Sequence, residues 1–411
     1  MIFTPLATLQ LTCPSPSFRW AAFALFVLMS SHGASAAPYK PQSADEVLAH
    51  LPTRFGQSEP GVEHRLKARL AANPRDASAA AELAEHHYRI AQRLGDPRHI
   101  GYAQAILSRW QHEPAPPNEI RLVRALLAQF LHDFRAARSE LDIVLASKPE
   151  NLDALAYRAI LNVVSANYDA ARRDCNAMTA LAKGLFIESC RPTVDALTGR
   201  GEKSYQELLA IQRRFPAAPP NERLWVETRL GEIAQRLGWK TQAEFHYSNA
   251  LKVGIVDQYL LATFAEFLLD DNRPAQVMSL LSPHQSNDVL LLRLAIAARA
   301  AKHMDAERYA KDIHERMQGN RLRGDKTHLA DEAWHELVFG NNASRALALA
   351  TENWNMEQRE PSDAKILIES AIAAKSPQGV APVRRWLTES GLEDQRLRQL
   401  LSHDDLKSAS R

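Results

Sequence analysis

The side chains best suited to metal or proton chemistry in this 411-residue chain are histidines. Glu82 and His86 stand four residues apart, with His87 adjacent and His99 further on. Imidazole and carboxylate on one helix face bind nickel, cobalt, zinc or copper, so His86, His87 and His99 are the candidate metal ligands. His303 with His314, and His328 with His335, form two sparser sets. No helical stretch carries two histidines at i, i+4, and a hydrogen-bonded structural role competes with ligation at each of them. Guanidinium groups gather in Asn320-Arg321-Leu322-Arg323-Gly324-Asp325 and again at Arg359, within Asn353–Pro361. Arginine forks suit carboxylate or phosphate. The competing reading is internal pairing of Arg323 or Arg359 with Asp325, Glu360 or Asp363. The sequence has no G-x-S-x-G, H-E-x-x-H, C-x-x-C or glycine-rich phosphate loop, so neither an enzyme nor a cofactor is expected.

The elements that must position these groups are helices. The chain is 45% hydrophobic and 24% charged, enough to bury a large core without the charge excess of a disordered chain. Ala, Leu, Arg, Glu and Gln dominate over alternating β-branched runs, which predicts an all-α fold. A formal net charge of +2 provides no global field for nucleic acid or anionic membrane.

Residues 1–37 have the form of a secretory signal. Arg19 precedes the apolar run Trp20–Met29, and Ala34-Ser35-Ala36 offers small residues for cleavage after Ala36 or Ala37. Ten apolar residues are too few to span a bilayer, which takes roughly 20. The mature protein is therefore expected in the periplasm and not as an integral membrane protein, the alternative being a signal retained as an anchor. Two cysteines survive processing, Cys175 and Cys190, on either side of Ala180–Gly184. An antiparallel helix pair would set them at similar heights, and an oxidising compartment would favour a disulfide between them.

Residues 38–60 read as a leader with one short helix, capped by Ser43-Ala44-Asp45-Glu46. A repeating pattern occupies 61–400, and 401–411 form a charged tail. Its clearest unit is WVETRLGEIAQRLGWKTQAEFHYSNAL, from Trp225 to Leu251. Leu230 and Gly231 lie within a first helix, Gly238 breaks the chain, and Ala243, Tyr247, Ala250 and Leu251 mark one face of a second. Small residues at the matching place of successive second helices are Ala105, Ala137, Ala171, Ser204, Ala243, Ala275, Ala306 and Ala346. Their steps are 32, 34, 33, 39, 32, 31 and 40 residues. The longer steps absorb loops around Pro216–Pro220 and Gly324.

The unit and its period resemble the tetratricopeptide repeat, with Ala234 standing where the repeat carries tyrosine. That resemblance implies a right-handed α-solenoid of about eight to nine TPR-like helical hairpins. It also implies a non-enzymatic scaffold or adaptor, holding a partner protein or peptide against a concave face lined by first helices. Trp225, Arg229, Glu232 and Arg236 share one side of the clearest first helix, and Arg299, Glu332 and His335 occupy corresponding places further on. The whole chain also resembles exported bacterial repeat proteins of unassigned role, which can be encoded beside membrane proteins of the hydrogenase and urease accessory type. The alternative expectation is thus an envelope accessory protein for nickel, cobalt or zinc, using His86, His87 and His99.

Overall fold

Several helices are begun by side-chain caps, and several of the turns that follow them contain a left-handed residue. In the computed structural model, Asp76, Asp133, Asn151, Asp257, Asn287 and Asn342 each accept a hydrogen bond from a backbone N–H of the helix that follows. Such caps satisfy donors that the first helical turn leaves open. The structure describes residues 61–403 and Leu406, apart from Asp325, and all of them belong to the unit Ser58–Arg411. The signal-like segment 1–37, the leader with its cap Ser43–Glu46, and most of the tail lie outside the described residues.

Among the described residues, twenty α-helices follow one another. They are α1 (Val62–Ala72), α2 (Ala77–Leu94), α3 (Arg98–Leu107), α4 (Asn118–Phe130), α5 (Phe134–Ser147), α6 (Leu152–Val164) and α7 (Tyr168–Leu181). Then come α8 (Leu185–Asp195), α9 (Gly201–Arg214), α10 (Pro220–Arg236), α11 (Lys240–Lys252), α12 (Gln258–Asp270), α13 (Pro274–Leu281) and α14 (Asp288–Ala300). The last six are α15 (Ala306–Leu322), α16 (Leu329–His335), α17 (Ala343–Asn355), α18 (Pro361–Ala373), α19 (Ala381–Ser390) and α20 (Gln395–Leu401). Among the described residues there is no strand, and no helix is long and apolar enough to cross a membrane. Most helices pack mainly on their neighbours in sequence, whereas α20 packs on α18.

The repeat is visible in the backbone. Among the described residues, a positive φ recurs in the turns that join α2/α3, α4/α5, α6/α7, α8/α9, α10/α11, α12/α13, α14/α15, α16/α17 and α18/α19. The residues are Gly95, His132, Ala166, Gly199, Gly238, Asn272, Lys302, Asn341 and Lys375. A left-handed residue ends one helix within a single turn and reverses the chain. Only some of these positions are glycine or asparagine, so the residue type alone hides the period.

The sequence register needs correcting at three positions. Ala137, Ala171, Ser204, Ala243 and Ala346 are buried as expected, but Ala105 and Ala275 are exposed and Ala306 is half-buried. In α3 the core position is Ala103, and in α13 it is Val277. Ala103, Ala137 and Ala171 are then spaced 34 residues apart, as are Ala243 and Val277. Where a helix enters at a shifted angle, a nearby alanine on its outer face mimics the core one. The α10/α11 crossing follows the sequence closely: a Cβ on Gly231 would lie 2.8 Å from the Tyr247 ring. Tyr247 is fully buried and donates to Gln235 Oε1 at 2.7 Å.

Cys175 on α7 and Cys190 on α8 are joined by a disulfide, with their Cα atoms 5.5 Å apart. The chain from Glu357 onward then returns to helices laid down long before. Arg138 pairs with Glu357 at 3.2 Å, Arg359 N donates to Val164 O at 3.0 Å, and Trp386 Nε1 to Tyr168 Oη at 3.2 Å. Gly201 N donates to Glu393 Oε2 at 2.7 Å, and Gln395 Nε2 to Leu237 O at 2.7 Å. At the other end, the turn at Gly95 abuts Asn287 and Gln258, at the starts of α14 and α12.

Candidate functional site

The returning segment Arg359–Ser362 closes one wall of a cavity of about 230 Å3. Helix α10 supplies Arg229, Glu232, Ile233 and Arg236 to a second wall, and α12 supplies Tyr259, Ala262 and Glu266 to a third. These are consecutive first helices of their hairpins, so one face of each turns inward together. Residues one repeat apart recur on the lining. Glu232 and Glu266 are separated by 34 residues, and so are Tyr259 and Arg293.

Arg229 sits over two rings, 4.7 Å from the Tyr259 centroid and 5.7 Å from that of Trp225. Its Nη1 lies 2.8 Å from Glu232 Oε2, and Tyr259 Oη donates to Glu232 Oε1 at 2.5 Å. Burial opposes the Arg229 charge, but Glu232 and Tyr259 more than offset it and hold the group firmly protonated. Opposite, Glu360 caps α18 through a reciprocal bond with Asp363. Burial and the Asp363 carboxylate push Glu360 up to about 7. Asp363, also raised by burial, stands at about 6 despite hydrogen bonds from the Glu360 backbone and Asn353.

A second chamber of about 170 Å3 shares Glu266, Arg293 and Ser362 with the first. Arg293 bridges Glu266 at 2.5 Å and Asp331 at 2.8 Å, with its guanidinium 5.2 Å from the Trp334 centroid. Lys365 pairs with Asp270 at 2.5 Å, and Asn353 Nδ2 donates to Asp363 Oδ1 at 2.9 Å.

Of the sequence-selected groove residues, Arg229, Glu232 and Arg236 come together on the first cavity. Trp225 stands next to them, half-buried with its ring 4.9 Å from Phe186. Arg299, Glu332 and His335 line neither chamber. Arg299 donates to Val338 O and covers the Phe339 ring, while buried Glu332 pairs with Arg321 at 2.6 Å. His335 is buried and burial lowers it to about 4, so its imidazole is neutral. The expected pairing of Arg359 with Glu360 or Asp363 does not form, and Asp325, the proposed mate of Arg323, lies outside the described residues. Arg323 bonds Asn320 instead.

The histidines of the first hairpin do approach one another: His87 Nδ1 and His99 Nδ1 are 3.0 Å apart, and His86 Nε2 is 3.9 Å from Glu63 Oε2. Burial lowers both His86 and His87. Among the described residues, however, no group of three or more His, Cys, Asp or Glu side chains is arranged to hold a metal ion.

Tyr259, Arg293 and Arg396 also shape the first cavity, although they do not stand out in the sequence. The 34-residue register was the available signal, because stepping it from Glu232 reaches Glu266. No protein-family model matches the chain, and no curated protein matches it either.

Proposed function

We propose that this chain is an exported, non-enzymatic adaptor of the cell envelope. It is a right-handed solenoid of about eight to nine TPR-like hairpins that holds a partner protein or peptide at its inner face. The observation that carries this reading is the convergence of Arg229, Glu232 and Arg236 on one interior cavity, beside the ring of Tyr259. Aromatic bodies beside charged tips are the composition of recognition surfaces. The nine equivalent left-handed turns support the repeat assignment. The Cys175–Cys190 bridge supports an oxidising compartment, to which a signal cleaved after Ala36 or Ala37 would deliver the protein.

The test is crosslinking in the periplasm with a tag on the C-terminal tail, run in parallel for the native chain and Arg236→Ala. One dominant protein is expected, absent from the variant although the variant melts at the native temperature. Repeated captures from the native chain with no common protein would sink the adaptor reading.

A second reading, an envelope protein handling nickel, cobalt or zinc, draws on the His87–His99 approach. Elemental analysis of the purified protein decides it. Stoichiometric metal that disappears in His99→Ala would move the assignment to the histidines, and metal-free protein would remove it.

A further inference from the structure

Five arginines line the first cavity, and three of them are matched. Arg229 faces Glu232, Arg293 faces Glu266 and Asp331, and Arg396 pairs with Asp394 at 2.8 Å and Asp270 at 3.4 Å. The other two, Arg236 and Arg359, have no side-chain hydrogen bond or ion pair among the described residues. Arg236 is only 7% exposed, and the Nε atoms of Arg359 and Arg229 are buried and unbonded. A guanidinium taken out of water without a counter-charge is destabilising. Arg236 is such a group, and half-buried Arg359, with its Nε unbonded, sets a second unpaired guanidinium on the same cavity, so the pair can take an anion.

The remaining wall is apolar, formed by Val163, Leu197, Ile233 and Val289. Inorganic phosphate would leave that wall unused, whereas an organic acid covers it. We infer that the cavity binds an organic carboxylate, with Arg236 and Arg359 holding the carboxylate and the apolar wall taking its body. At about 230 Å3 the space lies below the roughly 300–1,000 Å3 of drug-sized sites. It suits a small organic acid or the last residue of a peptide, and the shared chemistry is the carboxylate. The inference deepens the adaptor reading, since it rests on the same cavity and Arg236, but free acids in place of a captured partner test it separately.

Glu360 tunes the site. The charged groups around it are Asp363, Glu232 and Glu266, which resist its ionisation, and Arg229, which favours it. Protonated, Glu360 no longer repels the ligand, so binding tightens as the pH falls from 8 to 6.

Calorimetry on the full chain tests the site with three probes: succinate, N-acetyl-Ala-Leu with a free carboxylate, and the same dipeptide amide. At least one of the two acids is expected to bind and the amide is not. Arg236→Gln and Arg359→Gln should each weaken binding by about 10- to 100-fold, the loss of a hydrogen bond to a charged group. Binding of succinate alone assigns a small acid, and binding of the dipeptide acid alone or more tightly assigns a peptide terminus. The site is overturned if neither acid gives heat or raises the melting temperature of the native chain. It is also overturned if the amide binds as well as the acid, or if the variants bind like the native chain. Should Arg236→Gln fail to fold, Arg359→Gln, whose side chain sits on a connecting segment, decides.

Discussion

The two interior chambers are built from the same kinds of residue, share a wall at Glu266 and Arg293, and differ in one respect. In the second, every cation faces a carboxylate: Arg293 has Glu266 and Asp331, and Lys365 has Asp270. In the first, Arg236 and Arg359 are left over. A matched set satisfies its own desolvation cost and locks helices together. An unmatched one keeps its capacity for something outside the chain. Residue type therefore does not separate structural arginines from binding ones, but the state of their partners does.

That contrast can be broken most severely at the shared wall. Arg293→Met would strand Glu266 and Asp331, each with a side chain 15% exposed, and should cost about 3–5 kcal/mol in urea unfolding followed by circular dichroism. Native-like stability in that variant would refute the idea that the second chamber is a structural lock. An uncharged constraint supplies the yardstick. Replacing both Cys175 and Cys190 with serine opens a loop of 15 residues and should cost about 3 kcal/mol, without altering carboxylate binding.

Acidity sharpens the comparison. Glu360 and Asp363 are raised above their ordinary values, so between about pH 4 and pH 7 the folded chain holds more protons than the unfolded one. Their contribution is fully present below the unfolded pKa values and is lost as the pH rises through about 6 and 7. Melting temperatures taken from pH 5 to 8 should fall with this slope in the native chain and less steeply in Glu360→Gln. The smallest effect is expected at the first chamber. Arg236→Met should change stability by no more than about 1 kcal/mol, or raise it, because it removes an unpaired buried charge. A loss as large as that of Arg293→Met would show that Arg236 is a structural member after all.

Local features of the fold were readable from the residues. Gly231 and Tyr247 announce a close helix crossing because a side chain on one excludes the ring of the other. Cys175 and Cys190 are bridged because the α7/α8 joint sets them side by side. Ala105 and Ala275 misled because helical periodicity is coarse: an alanine one or two positions away from a core site preserves the spacing and points outward. The site was half legible. Arg229, Glu232 and Arg236 declare themselves on one helix face, but Arg359 reaches them through a return of the chain that no local pattern encodes. Whether an arginine is paired is a three-dimensional property. Position is three-dimensional too: Glu332, paired with Arg321 away from both chambers, looked the same in sequence as Glu232, paired with Arg229 on the first.

The late return of the chain also sets an order of assembly. Helices made earlier, from α6 to α14, present most of a cavity whose remaining wall is Arg359–Ser362 and whose outer seams are Trp386, Glu393 and Gln395. A ribosome delivers those residues last. Until they emerge, Arg229 and Arg236 face water on an open groove, where their charges are hydrated and cheap to keep. The site is complete only once Arg359–Ser362 have docked, so a chain cut short before Arg359 would lack it.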